Sequence, residues 1–376
     1  MTKIIGIICE YNPFHNGHLY HINKIKEMFP GSIIILVING YFTQRGNLSI
    51  MTKEQKTIVA LDNNIDLVIE LPFVFGTQSS DLFANGSIQI LDKLKTDIIV
   101  FGSELNEIDT LIKLANIQNT EEYNNLVKKY LDSGINYPTA MSKALKTLTK
   151  LEITTPNDLL GISYIKAIND VKSNIIPYSI KRTNDYHSLN TNDEIISGSA
   201  IRNLLKENKD ISKYVPYDVY NLQLQYVDLN NYFDLIKYKI INEQEHINKY
   251  QTVDEGIEYR LLKYINDCNS TDELINKVKT KRYTYNKIQR MLVHILCSFT
   301  KEEAKNKKIE YIRILGFNDS GRKYLNKIKK DIDIPIISKL SNQNFNQLDI
   351  ENRVTNIFNI KQLNKVNEYK TFPIYK

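Results

Sequence analysis

Short runs of β-branched residues recur through the first half of the chain, each closed by a polar or glycine-containing turn and followed by apolar residues at helical spacing. Ile4, Ile5, Ile7 and Ile8, interrupted only by Gly6, make the first run, and Ile33 to Ile38 make the second. Apolar on consecutive positions, they predict strands covered on both faces of a parallel sheet. Further strands are predicted over Asp66 to Leu71, stopped by Pro72, over Asp97 to Phe101, and over Ile175 to Ile180. Leu19, Ile22, Ile25 and Met28 mark a helix between the first two strands, and Thr52 with Gln55 forms a capping box for another through Leu61. A helix capped near Ser80 runs to Leu94, and Thr155-Pro156 opens one that holds Asn157 and Asp158 in its first turn. Strand alternating with helix predicts an α/β fold. Residues 105 to 150 read as helices without a chemical motif.

The pattern changes near residue 215, where Tyr-rich amphipathic helices take over and strand patterning returns only at Tyr311 to Leu315 and Ile334 to Ile337. A polar linker, 206 to 217, suggests two parts: 1–210, and a mainly helical 211–376. Charge follows the same division. Through residue 210, 21 Lys and Arg stand against 23 Asp and Glu, and beyond it 28 stand against 20, so the net +6 is owed entirely to the second part. Such an excess suits a polyanionic partner. Lys277, Lys279, Lys281, Arg282, Lys287 and Arg290 surround Tyr283 and Tyr285 with no acidic residue between, a mixture fit for phosphate contacts and base stacking, or for a solvated helix face.

With 376 residues, 42% of them hydrophobic and 24% charged, the chain has the composition of a globular protein able to bury two cores. It lacks an N-terminal leader pattern and any run of about 18 apolar residues, so neither secretion nor a membrane span is expected. Cys9, Cys268 and Cys297 are scattered without metal spacing, which argues against structural zinc and fits a reducing cytoplasm.

Chemistry concentrates at Ile4 to His21. Asn12, Pro13, Asn16 and Gly17 break the first strand, and His18 falls in the first turn of the helix that follows, where free N–H groups and the macrodipole attract anions. His15 lies three residues earlier. A His-x-x-His spacing alone would equally suit a metal pair or two surface side chains. The strand, loop and helix around it favour imidazoles, neutral or cationic, that stabilise charge on nucleotide phosphates. Arg45, in the loop Tyr41 to Gly46 at the end of the second strand, is placed to clamp phosphate or RNA backbone. Lys53, at a helix start, would meet an anion or lie in solvent. Gly102 after the fourth strand suits a flat ligand or a tight turn, and Asn157 a nucleotide contact or a cap. Arg182 ends the fifth strand, a loop holding His187 follows, and Ile195 to Arg202 opens a second anion-binding helix with Ser197, Ser199 and Arg202. Two such junctions about 180 residues apart suit a triphosphate nucleotide.

Asn12-Pro-Phe-His-Asn-Gly-His18 resembles the His-x-Gly-His motif of the nucleotidyltransferase superfamily, and Ile195 to Arg202 resembles its Ile-Ser-Ser-Thr-x-Ile-Arg motif, with Gly198 in place of one serine. The longer string Glu10 to His21, with Phe42-Thr-Gln-Arg-Gly46, Glu255-Gly256, Lys281-Arg-Tyr-Thr284 and Leu315-Gly-Phe317, resembles the bacterial tRNA(Met) cytidine acetate ligases over nearly the whole chain. Asn47-Leu48 depart from that pattern. The resemblance implies a Rossmann-like nucleotidyltransferase core with a parallel sheet, and a helical tRNA-binding domain. It implies that ATP and acetate form acetyl-adenylate, and that acetyl passes to N4 of the wobble cytidine, position 34 of elongator tRNA(Met). It assigns catalysis to His15 and His18. ATP binding falls to Ile7, Ile8, Cys9, Glu10, Tyr11, Asn12, Pro13, Phe14, His15, Asn16, Gly17, His18, Leu19 and Tyr20, with Gly102, Asn157 and Arg182. Arg45, Lys53, Ser197, Ser199, Arg202, Lys281 and Arg282 are candidate phosphate or tRNA contacts. Mg²⁺ is expected wherever a triphosphate is cleaved, and neither a prosthetic group nor a protein partner is implied. A small-molecule adenylyltransferase acting on a phosphate ester, or a non-catalytic RNA-binding module, would share parts of this pattern.

Overall fold

The computed structural model describes residues 2–182, 194–340 and 345–376. The strands expected in the first half form: β1 (Ile4–Cys9), β2 (Ile33–Asn39), β3 (Leu67–Leu71), β4 (Ile98–Ser103) and β5 (Ile176–Lys181). They lie parallel in the order β5-β4-β1-β2-β3. Burial on both faces is visible along β2, where Ile34, Leu36 and Ile38 enter one core while Ile35 and Val37 enter the other. The chain steps outward from β1 to β3, then returns to the far side of β1 to add β4 and β5. That reversal opens a crevice at the carboxyl ends of β1 and β4, the place where open parallel sheets bind ligands.

Helices α1 (Asn16–Met28) and α2 (Lys53–Asp62) start at capping boxes, while α3 (Ser80–Lys93) and α4 (Pro156–Val171) start without a side-chain cap hydrogen bond. Thr52 and Gln55 make the reciprocal capping box, and Pro156 occupies the first turn of α4. The segment 105–150 folds as helices Ile108–Gln118, Glu121–Asp132 and Tyr137–Thr149. The loop holding His187 lies outside the described residues.

Beyond α5 (Gly198–Lys206), the helices Phe233–Asn242, Ile257–Tyr264, Thr271–Val278 and α6 (Tyr285–Leu296) pack into the same core as one face of the sheet. The chain then rejoins the sheet. Strand β6 (Ile312–Phe317) pairs antiparallel with β3, and β7 (Ile336–Ile337) and β8 (Ile374–Tyr375) pair parallel with β6. Residue 210 is therefore no boundary of the sheet, because strand patterning at Ile312 to Leu315 says nothing about which sheet receives it.

The seam is sealed by buried ions. Lys53 Nζ lies 2.9 Å from Glu368 Oε1 and 3.2 Å from Glu351 Oε2, and it also pairs with Glu70. Arg313 of β6 reaches Glu70 at 2.9 Å and Glu368 at 2.5 Å. Glu351 belongs to α7 (Asn346–Asn359), and its carboxyl is pushed up to about 7 by burial and then by Glu70. Lys53 does meet anions, but they are the protein's own carboxylates. The candidate phosphate or tRNA contact at Lys53 is thus replaced by a structural role, since the ammonium is only 5% exposed and enclosed on three sides.

Candidate active site

β1 ends in the crevice, and Glu10 to Pro13 carry the chain to the N-terminus of α1. His15 is the N-cap residue, in extended conformation, and its Nδ1 accepts from the Gly17 N–H at 3.0 Å. His18 answers from the third helical position, its Nδ1 accepting from the His15 N–H at 3.2 Å. This reciprocal cap satisfies two N–H groups that a helix start leaves free. It also fixes the tautomers: with both Nδ1 lone pairs engaged, each ring carries its proton on Nε2. The rings lie 3.9 Å apart between centroids, tilted over each other. A Cβ on Gly17 would come within 2.8 Å of the His15 ring, so glycine is what lets the imidazole fold back over the helix start.

Burial makes both rings neutral. His15 is pushed down to about 3 by burial, then by Arg182 and Arg202, and His21 to about 4 by burial and Arg182. His18 falls well below the ordinary imidazole range through burial and the neighbouring rings. Of the two charge states open from the sequence, the neutral one is selected. Cys9 borders the same space, but burial and Glu10 raise its thiol to about 12, so it stays protonated rather than becoming a nucleophile.

The second helix start faces the first. Ser197 caps α5 by accepting from the Ala200 N–H at 3.2 Å. Arg202 donates to the Asn12 carbonyl at 2.6 Å and to Ser199 Oγ at 3.0 Å, so both serine hydroxyls help to build the site. Arg182, leaving β5, lies over Gly102 with its Nε 3.6 Å from Glu104 Oε1, and Asn157 Nδ2 donates to that same oxygen at 2.5 Å. Asp158 ties down the loop after β4 through the N–H groups of Glu104 and Leu105, each at 3.1 Å. Its position in a first helical turn reads as a plain cap, and only the fold shows what it holds.

The opposite wall joins sequence neighbours of Arg45 to α6. Glu10 Oε1 accepts from the Gln44 N–H at 2.6 Å and from Asn39 Nδ2 at 2.7 Å, and Gln289 Nε2 donates to Asn47 Oδ1 at 2.6 Å. Gly46 has φ +80°, and a Cβ there would lie 2.7 Å from the Arg290 backbone nitrogen, so only glycine lets this loop seat on the helix.

These elements enclose a cavity of about 530 Å³ bordered by His15, His18, Arg45, Asn157, Arg182 and Arg202, within the size range of small-molecule sites. Gly102, Ser197 and Ser199 also line it. Of the segment 7–20, Ile7, Pro13, Phe14, Asn16 and Leu19 do not border the cavity. Ile7 and Phe14 are core, and Asn16 instead tethers Glu194 and Lys213 by their carbonyls at 3.1 and 3.0 Å. Lys281 and Arg282 lie outside the cavity on exposed surface, Arg282 paired with Glu255 at 2.8 Å. Tyr285, expected from its basic surroundings to suit base stacking, borders it, and so do Asn286 and Gln289, which the sequence did not single out. Their basic, Tyr-rich neighbourhood is a signal, but which helical face turns inward is decided by packing.

A ligand crevice at the sheet's reversal, with two helix starts and neutral imidazoles turned into it, places the fold among the HIGH nucleotidyl transferases, whose family model matches residues 2–371. Among curated relatives, the tRNA(Met) cytidine acetate ligase of Anoxybacillus flavithermus is 37% identical over 95% of this chain and 94% of its own. That of Oceanobacillus iheyensis is 38% identical over 94% of this chain and 93% of its own. The apo structure of Thermotoga maritima TmcAL matches with a TM-score of 0.92 at 28% identity, covering 100% of this chain and 99% of that one. The same protein bound with alpha-thio ATP matches at 0.89, with the same identity and coverage. The chain belongs to the tRNA(Met) cytidine acetate ligase family and is a ligase with an ATP-binding nucleotidyl transferase fold.

Proposed function

We propose that the chain activates acetate with ATP as acetyl-adenylate and acetylates N4 of the wobble cytidine, position 34, of elongator tRNA(Met). The observation that carries this reading is the pair of neutral, Nε2-protonated imidazoles sharing one cavity with Arg182 and Arg202. A carboxylate oxygen of acetate attacks the α-phosphorus, and the bond to the departing pyrophosphate breaks. His15 and His18 donate to the phosphoryl oxygens as negative charge builds, from a helix start whose free N–H groups add to the effect. Arg182 and Arg202 hold the flanking phosphate oxygens. Neutral rings suit this task, because they donate a hydrogen bond without surrendering a proton to the departing pyrophosphate. The cytosine N4 lone pair then attacks the acetyl carbonyl, AMP departs, and N4 loses a proton.

No group of three His, Cys, Asp or Glu side chains converges among the described residues, and Mg²⁺ in such a site would be held largely by the ATP phosphates themselves. Asn157 and the backbone at Gly102 border the nucleoside end, while exposed Lys281 and Arg282 meet tRNA outside the cavity, Arg282 exchanging Glu255 for phosphate. No described helix is long and apolar enough to cross a membrane. The substrate tRNA places the reaction in the cytoplasm.

The test is mass spectrometry of nucleosides from unmodified elongator tRNA(Met) incubated with protein, ATP and isotopically labelled acetate. Labelled N4-acetylcytidine is expected. His18→Ala should slow its formation by about 2.7 to 4 kcal/mol, a factor of roughly 10² to 10³. Pyrophosphate release without labelled cytidine would instead favour adenylyl transfer to a small phosphate ester.

A further inference from the structure

Helix α6 enters the cavity wall with Tyr285, Asn286 and Gln289, and one residue further on carries Arg290. Arg290 Nε is buried with no hydrogen-bond partner among the described residues. Burial and Arg45 both push this guanidinium down, to about 10, and no carboxylate offsets them. The approach is built in, because Gly46 seats the loop bearing Arg45 against the Arg290 backbone and the Gln289 to Asn47 hydrogen bond pins it there. Arg45, which borders the cavity, and Arg290, one residue beyond the cavity-lining Gln289, are thus brought near each other from distant chain segments. A guanidinium does not discharge by losing its proton. The Nε of Arg290 is shut off from water while the residue as a whole is half-buried, an arrangement that favours an anion at the open side of the guanidinium.

We propose that Arg290, together with Arg45, grips a phosphodiester of the RNA strand that carries the acetylated cytidine, while Tyr285 and Asn286 wall the space for its base. This rests on the tRNA reading above. The ATP phosphates are served from the other wall by the two imidazoles, Arg182 and Arg202, which leaves the α6 wall to the second substrate. Tyr285 offers a ring face, and Asn286 is exposed on the same end of the helix. Arg290 follows Asn286 by four residues, so phosphate and base contacts share one helical face.

The experiment measures binding of unmodified elongator tRNA(Met) to the full chain across a series of KCl concentrations, for the wild type, Arg290→Gln and Arg290→Lys. Arg290→Gln should weaken binding roughly tenfold and make the salt dependence shallower by about one unit of slope. Arg290→Lys should keep the slope while losing part of the affinity, since an ammonium keeps the charge without the planar fork. Acetate-dependent pyrophosphate exchange, run without tRNA, separates the other oxyanions. A raised KM for acetate or ATP in Arg290→Gln, with an unchanged tRNA slope, would assign this charge to the first step and overturn the proposal. Unchanged slope and affinity in Arg290→Gln, beside a wild type that acetylates tRNA, would overturn it alone. A wild type that binds no tRNA at any salt would overturn the tRNA reading with it.

Discussion

Lys53 is a buried cation and Arg290 a half-buried one with its Nε enclosed, both where the C-terminal part closes on the parallel sheet, and they are handled in opposite ways. Lys53 is surrounded by Glu70, Glu351 and Glu368, with Arg313 sharing two of those carboxylates. Arg290 has another arginine near it and, among the described residues, no carboxylate that offsets it. The imidazoles show a third outcome, since burial strips them of charge altogether. A buried base can be neutralised by a partner, lose its proton, or keep its charge for a ligand, and only arginine is confined to the first and last. The comparison separates a cation that holds the fold from one that awaits a substrate.

The largest effect should come from removing the paired cation. Lys53→Met leaves the surrounding carboxylates short of a counter-charge and should lower unfolding stability by about 3 to 5 kcal/mol, read by urea denaturation at pH 7. A loss under about 1 kcal/mol would show the cage to be dispensable and erase its contrast with Arg290. Gly46→Ala comes next. Holding alanine at φ +80° costs about 1 to 2 kcal/mol before its Cβ meets the Arg290 backbone at 2.7 Å. Denaturation should register that loss, and tRNA acetylation should fall further than acetate-dependent pyrophosphate exchange, because the loop serves the wall assigned to the second substrate.

The imidazoles sharpen the comparison through pH. His15, His21 and His294 are held near 3, 4 and 4, below the ordinary 6.5, with burial the leading cause. The unfolded chain therefore takes up protons that the folded chain refuses as pH drops below 6.5. Their contribution is complete above 6.5 and drains as pH falls towards about 4, by up to about 1.4 kcal/mol per pH unit for each ring. His294→Gln should flatten that slope by one proton between pH 6 and 5. The smallest effect is expected at Arg290. Arg290→Met removes an uncompensated charge, so stability without RNA should stay level or rise by up to about 1 kcal/mol. A fall comparable to that of Lys53→Met would make Arg290 a structural residue.

The central parallel strands, the Thr52–Gln55 box and the Pro156 start were legible because each is written within a few neighbouring residues as periodicity or cap chemistry. The histidine corner was legible on the same grounds, down to its place in the first turn. Its charge state was not, because neutrality comes from burial and from Arg182 and Arg202, which other parts of the chain deliver. The basic run from Lys277 to Arg290 looked uniform in sequence, yet packing turns Arg290 inward and leaves Lys281 and Arg282 outside. Lys53 announced only that it lacked a favourable dipole, and its partners Glu351 and Glu368 stand 298 and 315 residues away. Sequence by itself determined most of the elements, many of their caps and the two helix starts at Asn16 and Gly198, since these depend on residues within one or two turns. Tertiary structure decided which strand β6 joins, which cations are answered and which residues of α6 turn towards the cavity. Burial and Coulomb energy depend on what lies within a few ångströms, and distance along the chain does not encode that.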